Sequence, residues 1–199
     1  MFVKICGLST PESVRVAVEA GADAVGFVLT ASPRAVTPSQ VSGLLADVPA
    51  GVAAVGVFRH EPVADALAIA RSAGVKWIQL HGDLTPEDVT TVHAAGMKLI
   101  RAVTMAATAD AFADWGEEIL LIDAAVPGSG ETWDYGSMVE VTAIEDRNWL
   151  LAGGLDPHNV NQAAASAGAW GVDVSSGVEA SRGVKDLDRI RAFVKAAKG

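Results

Sequence analysis

Short apolar runs recur along the whole chain, starting roughly every 24 residues. Most of them are unbroken stretches rich in Val, Ile and Leu, the pattern of strands that are buried on both faces in a parallel sheet. We therefore predict eight strands. They are Phe2–Cys6, Ala24–Leu29, Val52–Phe58, Trp77–His81, Lys98–Val103, Ile119–Ala124, Trp149–Ala152 and Gly171–Ser175.

The segments between these runs carry helix signals. Four of them place a capping side chain before a proline at the first helical position; these are Thr10-Pro11, Thr37-Pro38, Thr85-Pro86 and Asp156-Pro157. Four end in Ala-Gly, and glycine closes helices in the left-handed conformation; these are Ala20-Gly21, Ala73-Gly74, Ala95-Gly96 and Ala167-Gly168. The repeating unit is strand, loop, capped helix, glycine stop and next strand.

Eight such units predict an α/β fold, a single (β/α)8 TIM barrel that spans residues 1–199. An open doubly wound sheet is the main rival, because it uses the same alternation. The count of eight and the lack of a GxGxxG after the first strand favour the barrel. The longest insertion runs from Ala124 to Tyr135, and its Pro-Gly-Ser-Gly core suggests a mobile lid that includes Trp133.

Composition narrows the classes of function. A net charge of −9 argues against nucleic-acid binding, since phosphate backbones require basic surface. No apolar run approaches the ~20 residues that span a bilayer, and the amino terminus has no secretory pattern. One cysteine excludes an internal disulfide and fits a reducing cytoplasm. Monomer is the default expectation.

In a barrel of this kind the active site forms at the carboxyl ends of the strands. The polar residues expected there are Lys4, Cys6, Arg34, His81, Asp123, Asp173, Ser175 and Ser176, with Gly153, Gly154 and Gly177 on the same face.

Cys6 and Asp123 are the candidate acid/base pair. Lys4 shares the strand parity of Cys6, so it is expected beside the thiol and should increase the thiolate fraction. Asp123 ends an apolar run, and burial there should raise its pKa towards that of a useful acid. The alternatives are a buried packing thiol for Cys6 and a capping carboxylate for Asp123.

Three other groups are candidates for binding. Gly153-Gly154 and Ser175-Ser176-Gly177 follow the seventh and eighth strands, where barrels commonly bind phosphate, although tight turns alone also use glycine. Arg34 could bind a carboxylate through its guanidinium, or be an exposed loop arginine. His81 shares parity with Gln79 and should face the barrel interior, where a structural role competes with one in the substrate pocket.

No metal or cofactor pattern stands out. The four histidines lie far apart, without metal-ligand spacing, and no Walker or dinucleotide fingerprint is present. We therefore expect chemistry without a cofactor or metal.

These residues together resemble one family, phosphoribosylanthranilate isomerase, over essentially the whole chain. The resemblance rests on motifs in a fixed order: VKICGL from position 3, GFV from 26, SPR from 32, VGVF from 55, QLHGD from 79, LID from 121, LAGGL from 151, GVDVSSGVE from 171 and GVKD from 183.

The resemblance implies a ribulose-phosphate-binding barrel and an aldose-ketose isomerase, an intramolecular oxidoreductase. The implied reaction is the Amadori rearrangement of N-(5'-phosphoribosyl)anthranilate in tryptophan biosynthesis. Asp123 matches the general acid and Cys6 the general base. Arg34 matches the residue that holds the anthranilate carboxylate, and the loops after strands seven and eight match the phosphate site.

Two alternatives remain. A related histidine-pathway isomerase is expected to carry an aspartate at the end of the first strand, where this chain has Cys6. A non-catalytic sugar-phosphate-binding barrel would not need the acid/base pair. The chain also departs from the family pattern in its lid, with a short glycine cluster and Glu131, and in Ala35, where an aromatic residue is common.

Overall fold

The eight predicted strands form one closed parallel barrel in this computed structural model, which describes residues 1–124, 134–140 and 147–199. No strand boundary differs from its predicted run by more than one residue. The strands are β1 (Phe2–Cys6), β2 (Ala24–Val28), β3 (Ala53–Phe58), β4 (Trp77–His81), β5 (Lys98–Thr104), β6 (Ile119–Asp123), β7 (Trp149–Leu151) and β8 (Gly171–Val174).

Pairing of the first strand with the last closes the barrel. Strand β1 pairs with β2 on one side and with β8 on the other, and Lys4 lies opposite Asp173 in the second pairing. This closure confirms the barrel and excludes the open doubly wound sheet, whose outer strands would each lack one neighbour. Residues 125–133 of the predicted lid, which include Glu131 and Trp133, lie outside the described residues.

Six α-helices lie among the described residues: α1 (Pro11–Ala20), α2 (Pro38–Leu44), α3 (Val63–Ala73), α4 (Pro86–Ala94), α5 (Val160–Ala167) and α6 (Leu187–Lys198). Thr10, Thr37 and Thr85 each cap a helix with a proline in its first turn, as predicted. The fourth prediction, that Asp156 caps a helix beginning at Pro157, was wrong. Helix α5 starts at Val160, because the Asp156 side chain instead accepts the amides of the turn that precedes the helix, at 2.7 and 3.0 Å.

The segment after β5 has a short 3-10 turn, Ala109–Phe112, in place of an α-helix. Arg101, fully buried on β5, holds this segment by donating to the backbone oxygens of Ala111 and Ala113 at 2.7 and 2.8 Å. Its guanidinium also pairs with the buried Glu117 at 2.7 Å. Arg101 and Glu117 thus position this loop through hydrogen bonds, while Phe112 anchors it in the apolar core.

Successive residues along each strand point alternately into two different apolar cores. One set points outward and packs under the helices, while the other fills the barrel; the inner set includes Cys6, Ala24, Val55, Ile100, Leu121 and Leu150. A small hairpin that was not predicted follows β8, formed by β9 (Glu179–Ser181) and β10 (Val184–Lys185). Among the described residues, no helix is long and apolar enough to cross a membrane.

Candidate active site

The polar residues of the inner set gather at the carboxyl ends of the strands. Lys4 and Cys6 alternate on β1 and both face inward, as their parity predicts. Lys4 is fully buried and donates to Asp173 of the neighbouring β8 at 2.7 Å. Asp123 and Asp173 line one small cavity together with both glycine-rich loops.

The thiol of Cys6 is buried, with 6% of the residue exposed. Burial raises its pKa above the ordinary value of 9.0, and this outweighs the nearby Lys4 and Lys185 ammonium groups. Lys4 does lower the pKa of the Cys6 thiol, as expected, but the cost of burying a thiolate is larger, so the net shift of the pKa is upward. In the resting protein Cys6 is a thiol.

Space around Cys6 is set by the neighbouring strand. A Cβ atom added to Gly26 on β2 would lie 2.9 Å from the Cys6 sulfur. Any side chain at position 26 would therefore displace the thiol, which explains why a glycine occupies this interior position.

Asp123 ends β6 and is 8% exposed. Burial is the main reason that its pKa rises from 3.8 to about 6; the Asp173 carboxylate adds to the rise, and a hydrogen bond from the Ala124 amide opposes it. The predicted rise is confirmed. A carboxyl with this pKa is about one-tenth protonated at pH 7, so it can donate a proton at that pH.

Arg34 is not an exposed loop arginine. Its side chain is 12% exposed and pairs with Glu179 through two hydrogen bonds, Nε to Oε1 at 2.6 Å and Nη2 to Oε2 at 3.1 Å. Its stem lies close to Gly7, directly after Cys6, since a Cβ added to Gly7 would lie 2.9 Å from Arg34 Cδ. The structure thus brings Arg34 to the mouth of the barrel beside the thiol.

The two predicted phosphate loops approach each other closely. Gly153 and Gly154 have φ of +86° and +65°, and a Cβ on Gly153 would lie 2.7 Å from the Ala124 amide nitrogen. A Cβ on Gly177 would overlap the Leu155 carbonyl oxygen. Glycine is required at 153 by conformation and at 177 by contact with the other loop.

The serines complete this region. Ser175 and Ser176 line the same small cavity as Asp123, although Gly177 does not. The Ser175 carbonyl and hydroxyl oxygens both accept from Lys185 Nζ, at 2.7 and 3.3 Å. The hydroxyl and amide groups of this loop can bind an anion by donating hydrogen bonds to it, without a metal.

His81 borders a larger cavity of about 580 Å³ that covers the ends of β3 to β5. Thr104, in its wall, pairs with Asp123 on the next strand, so the two cavities adjoin. Burial, followed by Arg59, Lys4 and His60, lowers the pKa of His81 to about 3. The ring is therefore neutral, and its Nε2 lies 2.7 Å from Gln79 Nε2, within the barrel interior as predicted.

Two residues of the site had no predicted role: Glu179, which pairs with Arg34, and Lys185, which contacts Ser175. Both lie on the hairpin after β8, whose turn is Arg182-Gly183. A residue followed by glycine between two short extended segments is a known hairpin signal. It indicates the hairpin but not which side of it faces the barrel.

Among the described residues, no cluster of three or more His, Cys, Asp or Glu side chains is arranged to hold a metal ion. The groups that remain at the mouth are an acid, a thiol, an arginine and two loops rich in polar backbone. This set suits proton transfer on a small anionic molecule.

The comparisons with known proteins agree on one family. Residues 3–196 match the sequence model of N-(5'phosphoribosyl)anthranilate (PRA) isomerase. The N-(5'-phosphoribosyl)anthranilate isomerase of Paracoccus denitrificans is 43% identical, over 98% of this chain and 96% of that protein.

Solved structures give the same result. The crystal structure of TrpF from Jonesia denitrificans is 43% identical, with a TM-score of 0.86 over 100% of this chain and 97% of that one. A phosphoribosyl anthranilate isomerase in complex with reduced 1-(o-carboxyphenylamino)-1-deoxyribulose 5-phosphate is 35% identical, with a TM-score of 0.87 over 100% and 99% of the two chains.

Proposed function

The chain belongs to the N-(5'-phosphoribosyl)anthranilate isomerase family, and we propose that it converts N-(5'-phosphoribosyl)anthranilate to 1-(2-carboxyphenylamino)-1-deoxyribulose 5-phosphate in tryptophan biosynthesis. The observation that carries this proposal is that Asp123 and Cys6 are both buried at the mouth of a closed eight-stranded barrel that matches the family over residues 3–196. The reaction is an aldose-ketose isomerisation that requires only proton transfers.

Each proton has an assigned residue. Protonated Asp123 donates to the ribose ring oxygen, the C1–O bond breaks, and the ring opens to a Schiff base. The Cys6 thiolate then removes the proton from C2, and the electron pair of that C–H bond shifts towards the imine to give an enol. The enol then tautomerises to the ketone, as its hydroxyl loses a proton and C1 gains one. The proton that Cys6 removed from C2 passes through solvent to Asp123, so that Cys6 is again a thiolate and Asp123 is again an acid.

Binding of the substrate falls to the residues around this pair. Arg34 receives the anthranilate carboxylate, since a guanidinium matches a carboxylate in shape and charge. The loops Gly153-Gly154 and Ser175–Gly177 receive the phosphate, because their glycines let the two backbones approach closely and Gly153, Gly154, Ser175 and Ser176 line one cavity. His81, Lys4 and Asp173 form the wall of the pocket and hold their neighbours in place.

The direct test is the loss of the substrate's fluorescence on addition of purified protein. Rapid decay with the wild-type protein, absent with Asp123→Asn, supports the proposal. A folded wild-type protein that produces no decay, yet still binds inorganic phosphate, would contradict it and favour a sugar-phosphate-binding protein.

We expect kcat/KM to be level above about pH 6 and to fall below it. The reaction needs Asp123 as the acid, with a pKa of about 6, and Cys6 as thiolate, with a pKa above 9.0. Between these values, rising pH removes acid and creates thiolate in equal proportion, so kcat/KM stays level. Below pH 6 only thiolate is lost, and kcat/KM should fall about tenfold per pH unit.

Stopped-flow fluorescence from pH 5 to pH 9 measures this profile. If kcat/KM instead fell steadily as pH rises above 6, loss of the acid alone would control the rate. Such a result would remove the Cys6 thiol as the titrating base.

Arg34→Ala should weaken binding of the substrate by about 100-fold, while binding of ribose 5-phosphate changes by about twofold or less. The reason is that Arg34 contacts a carboxylate that only the full substrate carries. Isothermal titration with the reduced product analogue and with ribose 5-phosphate measures both affinities. Equal losses for the two ligands would count against a carboxylate role.

We also propose a single-domain monomer in the cytoplasm. All eight barrel strands join one sheet, and among the described residues only Met1, Trp170 and Val184 are exposed large hydrophobic residues. The reaction requires Cys6 as a free thiol, which a reducing compartment preserves.

A further inference from the structure

The carboxylate of Glu179 accepts four hydrogen bonds. Arg34 supplies two, from Nε and Nη2, and Lys185 Nζ and the Gly183 amide supply one each, both at 3.2 Å. Each carboxylate oxygen therefore accepts from two donors. The side chain is 5% exposed, so this carboxylate is buried and fully used.

These contacts join the two halves of the substrate site. Lys185 also donates to Ser175 in the proposed phosphate loop, at 2.7 Å. Arg34 and Lys185 both approach Gly7, since a Cβ added there would lie 2.9 Å from Arg34 Cδ and 3.5 Å from Lys185 Nζ. Glu179 thus connects the arginine at one end of the site with the loop at the other.

The charge of Glu179 holds two cations together. Burial lowers the pKa of Lys185, and proximity to Arg34 adds to the lowering, while Glu179, and Cys6 in its thiolate form, oppose it. Without a negative charge at position 179, the guanidinium and the ammonium group would repel each other. Apart from its contact with Gly7, the hydrogen bonds that fix the Arg34 side chain among the described residues are those to Glu179, so the loss of that charge should let the guanidinium turn away from the barrel mouth.

The geometry also determines which donors remain for a ligand. A guanidinium has five N–H groups, and Glu179 occupies the edge formed by Nε and Nη2. Within residues 1–124, 134–140 and 147–199, Arg34 Nη1 has no hydrogen-bond partner. The edge formed by Nη1 and Nη2 is therefore open to a second carboxylate.

We propose that Glu179 is a positioning residue for substrate recognition, which holds Arg34 so that its Nη1–Nη2 edge receives the anthranilate carboxylate. The inference rests on the proposed function. The proposal predicts the direction of the effect. If Glu179 positions Arg34, removal of its charge should weaken substrate binding. If Glu179 instead competed with the substrate for Arg34, removal of its charge would tighten substrate binding.

The test is Glu179→Gln, which keeps the shape and removes the charge. Affinity for the reduced product analogue, measured by isothermal titration, should fall about tenfold, and KM should rise more than kcat falls. Affinity for inorganic phosphate should change by less than about twofold. Glu117→Gln is the matched control, since Glu117 is also a buried arginine partner but contacts neither Arg34 nor the two phosphate loops. It should lower thermal stability without changing KM.

A double-mutant cycle separates positioning from general damage. In the Arg34→Ala background, Glu179→Gln should have no further effect on affinity for the analogue. Unchanged or tighter binding by the single variant, an equal loss for phosphate, or an equal loss in the Arg34→Ala background would each overturn the proposal. A wild-type protein that neither turns over substrate nor binds the analogue would overturn the proposed function as well, so the two failures are distinguishable.

Discussion

Cys6→Ser should reduce kcat by about 10³-fold or more, while affinity for the reduced product analogue stays within about twofold. Serine occupies nearly the same volume as cysteine, so the packing against Gly26 is preserved. Its hydroxyl, however, ionises far less readily than a thiol and cannot remove the proton from C2. Single-turnover fluorescence isolates the chemical step from binding and product release.

Cys6→Ala is the matched control, since it removes the base without adding a hydroxyl. Both variants should lose activity to a similar extent and unfold at temperatures close to that of the wild type. A serine variant with the wild-type rate would exclude Cys6 as the base. A serine variant that no longer binds the analogue would assign Cys6 to packing.

Asp123→Asn should lower kcat by about 10³-fold and at the same time stabilise the fold. The folded pKa of about 6 lies above the ordinary value of 3.8, so the carboxyl favours folding only while it is protonated. That contribution is complete below pH 4 and is lost as pH rises to 6, which corresponds to up to about 3 kcal/mol. A neutral asparagine avoids this loss and can still accept from the Ala124 amide.

Urea unfolding of both proteins at pH 8 and at pH 4 measures the effect. The variant should be more stable at pH 8, and the difference should shrink towards zero at pH 4. An equal difference at both values would mean that the change acts through packing and not through the charge. An active variant would assign the acid role to another group.

The strands and most helix caps could be predicted because they depend on local features. A run such as Ile119–Ile122 has few alternatives to a buried strand. Thr10 before Pro11 marks the start of a helix, because the Thr10 side chain caps an amide only three residues further on. Parity within β1 placed Lys4 beside Cys6 in the same way. The start of α5 was missed because the Asp156 side chain satisfied a turn before the helix, and both uses of an aspartate have the same local sequence.

Long-range charge balance could not be predicted. The pKa of Cys6 is raised mainly by burial inside the closed barrel, and the charges that modify it include Asp173 and Lys185, which lie at the far end of the chain. The surroundings of Arg34 depend on Glu179, which is 145 positions away in sequence. A single sequence shows that such residues exist, but not which of them meet, because the meeting is decided by the closure of the barrel.

The pairing of β1 with β8 determines when the active site can form during synthesis of the chain. Lys4 and Asp173 are 169 positions apart, and the wall that holds Cys6 exists only when the last strand has docked against the first. A nascent chain therefore carries its catalytic thiol from the start of synthesis but has no finished pocket until synthesis is nearly complete. Because turnover requires that final docking, the recovery of enzyme activity during refolding would report the last step of assembly, which spectroscopic signals from helices report only indirectly.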